Sequence, residues 1–222
     1  MSRNPFDPTF DQLPGSIPVF PLTGVLLLPR GRLPLNIFEP RYLAMVQDAL
    51  AADRMIGMVQ PQEPERLGAP PPRLYGTACA GRITSFAETE DGRLLITLTG
   101  VCRFAPADEI PTTRGYRRVV PDWSSFRADL EEEAVPAPAL DRERLGEALR
   151  TYFRQQGIQV SWESIEKAPD ERLVTSLAMI CPFDPPEKQA LLEAPDLAAR
   201  AKMLLALIEM AVHECGGEGA RH

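Results

Sequence analysis

IPVFPLTGVLLLPRGRLPLNIFEPRYLAMVQDALAA, residues Ile17 to Ala52, decides the fold. Its prolines punctuate it, because proline cannot donate to a strand ladder and collects at strand ends and edges. Pro21 closes a strand over Ile17 to Phe20, and Pro29 closes a second over Val25 to Leu28. Arg30-Gly31-Arg32 reads as a turn, and Leu33 to Phe38 as a third strand. At Glu39-Pro40 the apolar period changes from two to about 3.6. Pro40 fits the first helical position, where its fixed φ suits the helix. Tyr42, Leu43, Met45, Val46 and Leu50 then share one side, so this helix has a face to bury.

Downstream, short β-branched runs continue. Arg54 to Val59 returns from the helix, and Leu74 to Ala87 is small and β-branched. Asp91-Gly92 is a hairpin turn signal before Arg93 to Thr99. Gly100 is expected to break the chain ahead of Val101 to Ala105, and Gly115 to Val120 is closed by Pro121. Many short strands with one inserted helix are the pattern of a small, partly closed barrel. Between these strands, Pro61 to Pro72 is a proline-rich charged loop.

From Phe126 to Ala139 the composition changes to a charged, proline-broken connector, and helical periods follow. Asp141 caps a helix with Leu145, Ala148, Leu149, Tyr152 and Phe153 on one side, ended by Gly157. Ser161 to Ile165 makes a short turn, and Pro169-Asp170 opens a helix to Ile180. Pro185-Pro186 starts Glu187 to Glu193, and a last helix runs to about Cys215, stopped by Gly216-Gly217. The expected organisation is a flexible arm (1–15), a β subdomain (16–125), a linker (126–139), a helical subdomain (140–216) and a tail (217–222).

Composition narrows the function. The 222 residues suffice to bury roughly 70% of the unfolded surface without a staple. Residues 1–125 carry 13 basic and 13 acidic side chains, and residues 126–222 carry 11 against 18, which accounts for the net charge of −7. That balance disfavours a phosphate-binding surface. Cys79, Cys102, Cys181 and Cys215 form no CxxC pair, and His213 and His222 are the only histidines. No metal or other cofactor is therefore expected, and the cysteines read as thiols of a reducing cytoplasm. No apolar run reaches membrane-spanning length.

The motifs PVFPL (18–22), LLLP (26–29), LPLNIFEPRY (33–42), YGTACAGRI (75–83), DGRLLITLTGVCRF (91–104), GYRRVV (115–120) and the stretch from Ser176 to Ile208 closely resemble the Lon N-terminal domain family. The resemblance implies an α+β fold, with an N-terminal PUA-like β pseudo-barrel holding one inserted helix and a C-terminal helical bundle after it. It also implies a module that binds polypeptide or a protein partner in protein quality control. The sequence shows no GxxxxGK[ST] phosphate loop and no lysine placed for a Ser–Lys dyad, so a stand-alone, non-catalytic module is expected.

The candidate binding residues are Phe38, Glu39, Arg41 and Tyr42 at the strand-to-helix corner, with Arg103. Arg41 is placed to pair with Glu39 or to reach a neighbouring carbonyl. Two other readings stand beside this one. A cleft enzyme or small-ligand binder would use Glu39, Arg41 or Cys79. An RNA binder would use a basic patch of Arg103, Arg114, Arg117 and Arg118 with Tyr116, a reading that the charge balance disfavours.

Overall fold

The structure, a computed structural model, describes residues 6–65, 70–131 and 140–218, with 214–218 as backbone only. The chain forms two compact units. One holds residues 1–133 together with 183–192, and the other holds 134–182 together with 193–222.

The first unit is a six-stranded mixed sheet that closes on itself. Its strands are β1 (Ile17–Pro21), β2 (Arg32–Ile37), β3 (Met55–Val59), β4 (Ala78–Glu88), β5 (Leu94–Ile110) and β6 (Arg117–Asp122), ordered β2-β5-β4-β3-β1-β6. β6 pairs again with β5, so five strands form a ring and β2 hangs outside it. Residues 94–99 of β5 take β2 as neighbour, and residues 105–110 take β6. The β1–β3 pair is parallel, as its crossover through β2 and α1 (Pro40–Leu50) requires. Asp91-Gly92 makes the expected turn between β4 and β5, with Gly92 at φ 78.

Two expectations about strands fail at Gly100. The two runs expected on either side of Gly100 belong to one strand, Leu94–Ile110, bulged where Ala80 faces Cys102 and Gly81 faces Gly100. A Cβ on Gly100 would sit 2.0 Å from the Leu28 carbonyl oxygen, so the glycine permits close approach of two backbones. The approaching segment is Val25–Leu28, which is not a strand. Leu26, Leu27 and Leu28 are buried, while the chain just beyond is tied by Arg30 N–H to Gly100 O and by Gly100 N–H to Gly31 O, both 2.8 Å. An apolar run reports burial, and these leucines are buried without joining a ladder.

Two strand limits also shift. β4 starts at Ala78, and Leu74 instead makes an isolated bridge with Pro61. Gln62 N–H to Arg73 O and Tyr75 N–H to Gln60 O make a two-stranded neck for the proline-rich loop. β6 continues through Pro121 to Asp122, where Pro106 faces Pro121 and neither residue can donate.

The barrel core centres on Phe104, Ile17, Val19, Val101 and Val119, with Trp123 5.1 Å from Phe104 between ring centroids. Residues 6–15 of the expected arm lie along this body. Phe10 and Leu13 pack on the core, Asp7 pairs with Arg82 at 2.9 Å, and Trp123 Nε1 donates to Pro14 O. The start of the expected linker also belongs to this unit, as a 3-10 segment over Ser124–Leu130; residues 132–139 lie outside the described residues.

Helix α5 (Pro185–Glu193), expected in the helical half, has its residues 185–192 in the first unit. Buried polar groups explain the assignment. Lys188 Nζ donates to Gly24 O at 2.8 Å, Gln60 Nε2 to Pro185 O at 2.9 Å, and Gln189 Nε2 to Thr77 O at 3.1 Å. Each group gives up water for a fixed partner, which ties α5 to the barrel.

The second unit is helical, with α2 (Arg142–Gln156), α3 (Trp162–Lys167), α4 (Asp170–Ile180) and α6 (Leu197–Glu218). Asp141 caps α2 by accepting from Arg144 N–H at 3.0 Å, and Gly157 ends it at φ 65. α2 and α4 both pack on α6, burying Leu145, Leu149, Tyr152, Val174, Leu177, Leu204 and Ile208. α6 continues through Gly216 and Gly217 to Glu218, past the expected stop. Glycine inside a helix costs about 1 kcal/mol relative to alanine and does not forbid it.

Candidate functional site

The strand-to-helix corner is built over residues 37–40. Ile37 is the last ladder residue of β2, Glu39 takes extended φ/ψ of −70 and 132, and Pro40 starts α1. Glu39 O accepts from the N–H groups of Tyr42 and Leu43, both at 2.9 Å, which closes the first turn. Helical geometry then sends Tyr42 inward and Arg41 outward. The Tyr42 ring lies 4.2 Å from that of Phe20, and burial pushes its hydroxyl up to about 12, so it stays neutral.

Arg41 spans a cleft of about 430 Å³ at this corner. Its Nε donates to Glu39 at 3.0 Å, and its two Nη groups hold the carboxylate of Glu65 in a fork at 2.9 and 2.8 Å. The guanidinium also sits 4.5 Å above the Tyr42 ring. The hydrogen bond from Arg41 holds the Glu65 carboxyl below the usual carboxylate range, and the same bond raises the Arg41 pKa. The remaining walls are Phe20, Leu22, Leu35, Asn36, Tyr116 and Arg117, with Pro61, Pro71 and Pro72 from the proline-rich loop. Phe38 stands at the mouth, 61% exposed, and its ring lies 5.7 Å from the Arg93 guanidinium.

Four of the five sequence candidates, Phe38, Glu39, Arg41 and Tyr42, therefore line one cleft. Arg103 does not. It is 5% exposed, holds Asp129 through Nε at 2.9 Å and Nη2 at 2.8 Å, and donates from Nη1 to Leu192 O at 3.1 Å. Burial works against its charge, and Asp129 outweighs that, so its pKa is raised. Arg103 holds the 3-10 segment and α5 against the barrel.

The basic patch expected around it is not a patch. Arg114 pairs with Asp48, which also accepts from the Tyr116 hydroxyl at 2.7 Å. Arg117 pairs with Glu109 and donates to Pro72 O at 2.8 Å, and Arg118 donates to Ser16 Oγ at 3.1 Å. Among the described residues, these cations are directed at separate carboxylates and polar atoms and do not form one continuous stripe of the kind phosphate binding uses.

Glu65 and the cleft role of Arg117 were missed from the sequence. The only signal was the length of the proline-rich loop, because which loop residue meets Arg41 depends on the neck at Gln62 and Arg73. Cys79, enlisted by the enzyme reading, is fully buried in β4 and does not line the cleft. Burial pushes the Cys102 thiol up to about 12, far from a reactive thiolate. Among the described residues no cluster of His, Cys, Asp and Glu could hold a metal ion, and no helix is long and apolar enough to cross a membrane. What the cleft offers is a wall of aromatic and proline surface, one arginine fork and two residues of an edge strand. Among the described strands β2 pairs only with β5, and its Leu35 and Asn36 line the cleft.

Comparison with known proteins agrees with this architecture. A model of the ATP-dependent protease La (LON) substrate-binding domain matches residues 16–210. Lon protease 2 of Myxococcus xanthus is 25% identical over 213 residues, covering 89% of this chain and 24% of the relative. Lon protease 2 of Sorangium cellulosum is 25% identical over 211 residues, covering 93% and 26%. The chain thus spans about a quarter of the length of these relatives. Among solved structures, a Lon N-terminal domain protein from Xanthomonas campestris is similar with a TM-score of 0.59 at 23% identity, covering 86% of this chain and 97% of that one. The N-terminal domain of the Mycobacterium avium complex Lon protease has a TM-score of 0.57 at 17% identity, covering 87% and 97%. At these identities the two structures speak to the fold.

Proposed function

Because this chain belongs to the Lon substrate-binding domain family, we propose that it is a polypeptide-binding module whose cleft beside β2 takes an extended stretch of client chain. The observation that carries the reading is that β2, a strand with one unpaired edge, contributes Leu35 and Asn36 to a cleft lined by aromatic and proline side chains. A peptide laid along β2 exchanges water for main-chain hydrogen bonds, which are blind to sequence, while alternate side chains enter the cleft. A cleft of this size suits a few client side chains, and Phe38 at its mouth offers a rigid apolar anchor.

The chemistry required is binding, and no bond need be broken. We infer a role in protein quality control, in which unfolded segments are captured by apolar surface and strand edge. Hydrogen–deuterium exchange with a thiol-blocked, permanently unfolded model protein tests this. Slowed exchange in 32–38, together with weaker capture by Phe38→Ser, is the expected result. Protection confined to residues 140–213, with β2 exchanging as before, overturns it.

A further inference from the structure

We propose that the cleft selects client segments bearing an acidic side chain, and that Glu65 of this same chain occupies the place such a carboxylate takes. The inference rests on the polypeptide-binding reading above and adds the chemistry of the residue recognised.

Arg41 is a prepared fork. Glu39 holds its Nε, the Tyr42 ring lies beneath its plane, and helix α1 carries its backbone, so both Nη groups point to one spot. At that spot two parallel N–H···O bonds receive a carboxylate, the geometry that distinguishes arginine from lysine. The present occupant comes from the proline-rich loop, and its side chain is 52% exposed against 33% for Arg41. Of the two partners Glu65 is therefore the exchangeable one. A client carboxylate would replace like with like, so little further desolvation is paid when Glu65 turns toward solvent. Client lysine is disfavoured, since it would have to displace an arginine already held on two other sides. With Glu65 turned away, both Arg41 Nη groups face the cleft without their carboxylate, which also favours an acidic client.

Fluorescence anisotropy with three labelled extended peptides, identical except for a central Glu, Gln or Lys, tests the assignment. The wild type is expected to bind the Glu peptide roughly three- to tenfold more tightly than the Gln peptide, and the Lys peptide least, with the preference shrinking at high salt. Glu65→Gln removes the internal competitor and is expected to tighten the Glu peptide by a similar factor, leaving the Gln peptide unchanged. Arg41→Gln is expected to bind Glu and Gln peptides equally. Arg41→Lys, which keeps the charge without the fork, is expected to fall between, and it serves if Arg41→Gln does not fold. Equal binding of Glu and Gln peptides to both wild type and Glu65→Gln overturns the selection while leaving polypeptide binding standing, as does a Lys peptide that binds tightest. If none of the three peptides binds wild type or Glu65→Gln, both readings fall.

Discussion

Two arginines of the first unit each grip a carboxylate with two hydrogen bonds, one in the interior and one at the cleft. Arg103 holds Asp129 where the two side chains are 6% and 8% exposed, whereas Arg41 holds Glu65 at 33% and 52%. In the interior, the cost of taking both charges from water has already been paid, and losing one partner strands the other. At the cleft, water stands ready to replace either group, so the pair is cheap to break and available for exchange. The contrast shows that two hydrogen bonds to a carboxylate do not by themselves separate a buried, structural ion pair from a solvent-accessible, exchangeable one. Solvent access does.

The comparison can be broken at its strongest point. Arg103→Ala leaves Asp129 buried beside an apolar core and is expected to cost about 3–5 kcal/mol, read as a lower urea midpoint, with peptide affinity of the folded fraction unchanged. Equal stability of variant and wild type would show that water reaches Asp129. Leu27→Ala, in the buried segment that is not a strand, is expected to cost about 2–5 kcal/mol in the same titration. A loss below about 1 kcal/mol would place Leu27 in a surface loop, where truncation is tolerated.

The cleft pair is expected to matter less for folding. Glu65→Gln should change stability by no more than about 1 kcal/mol, the range of exposed pairs, while altering peptide preference. pH sharpens the same point. Because Arg41 holds the Glu65 carboxyl below its ordinary range, the pair is intact above the unfolded-chain glutamate value and is lost as pH falls through the lower folded one. An NMR titration of the Glu65 side-chain carboxyl carbon should therefore show a midpoint below that of ordinary glutamates. Arg41→Gln should return it to the ordinary range, and an unmoved midpoint would mean that the fork does not form in solution.

Much of the molecule was legible in the chain. Pro40 at the start of α1, the caps at Asp141 and Gly157, and the Asp91-Gly92 turn act through their own backbones and immediate neighbours. Local physics is written locally. The triple leucine at 26–28 was misread because burial and strand share one apolar signature, and Gly100 because a glycine that breaks a strand resembles one that lets another chain approach. The corner candidates were brought together because they are consecutive, whereas Glu65 joined them through a loop.

The sequence by itself determined an α+β chain with a strand-rich first half holding one inserted helix and a helical second half, the corner at Glu39-Pro40 and the family to which it belongs, since these follow from period, proline placement and short-range motifs. Only the tertiary structure decided that β5 pairs with β2, β4 and β6 and that residues 183–192 join the barrel. It alone buried Arg103 and turned Arg41 toward a cleft. Those outcomes depend on which distant groups share a low-dielectric interior and which meet water, and pairings across that distance leave no trace in local sequence.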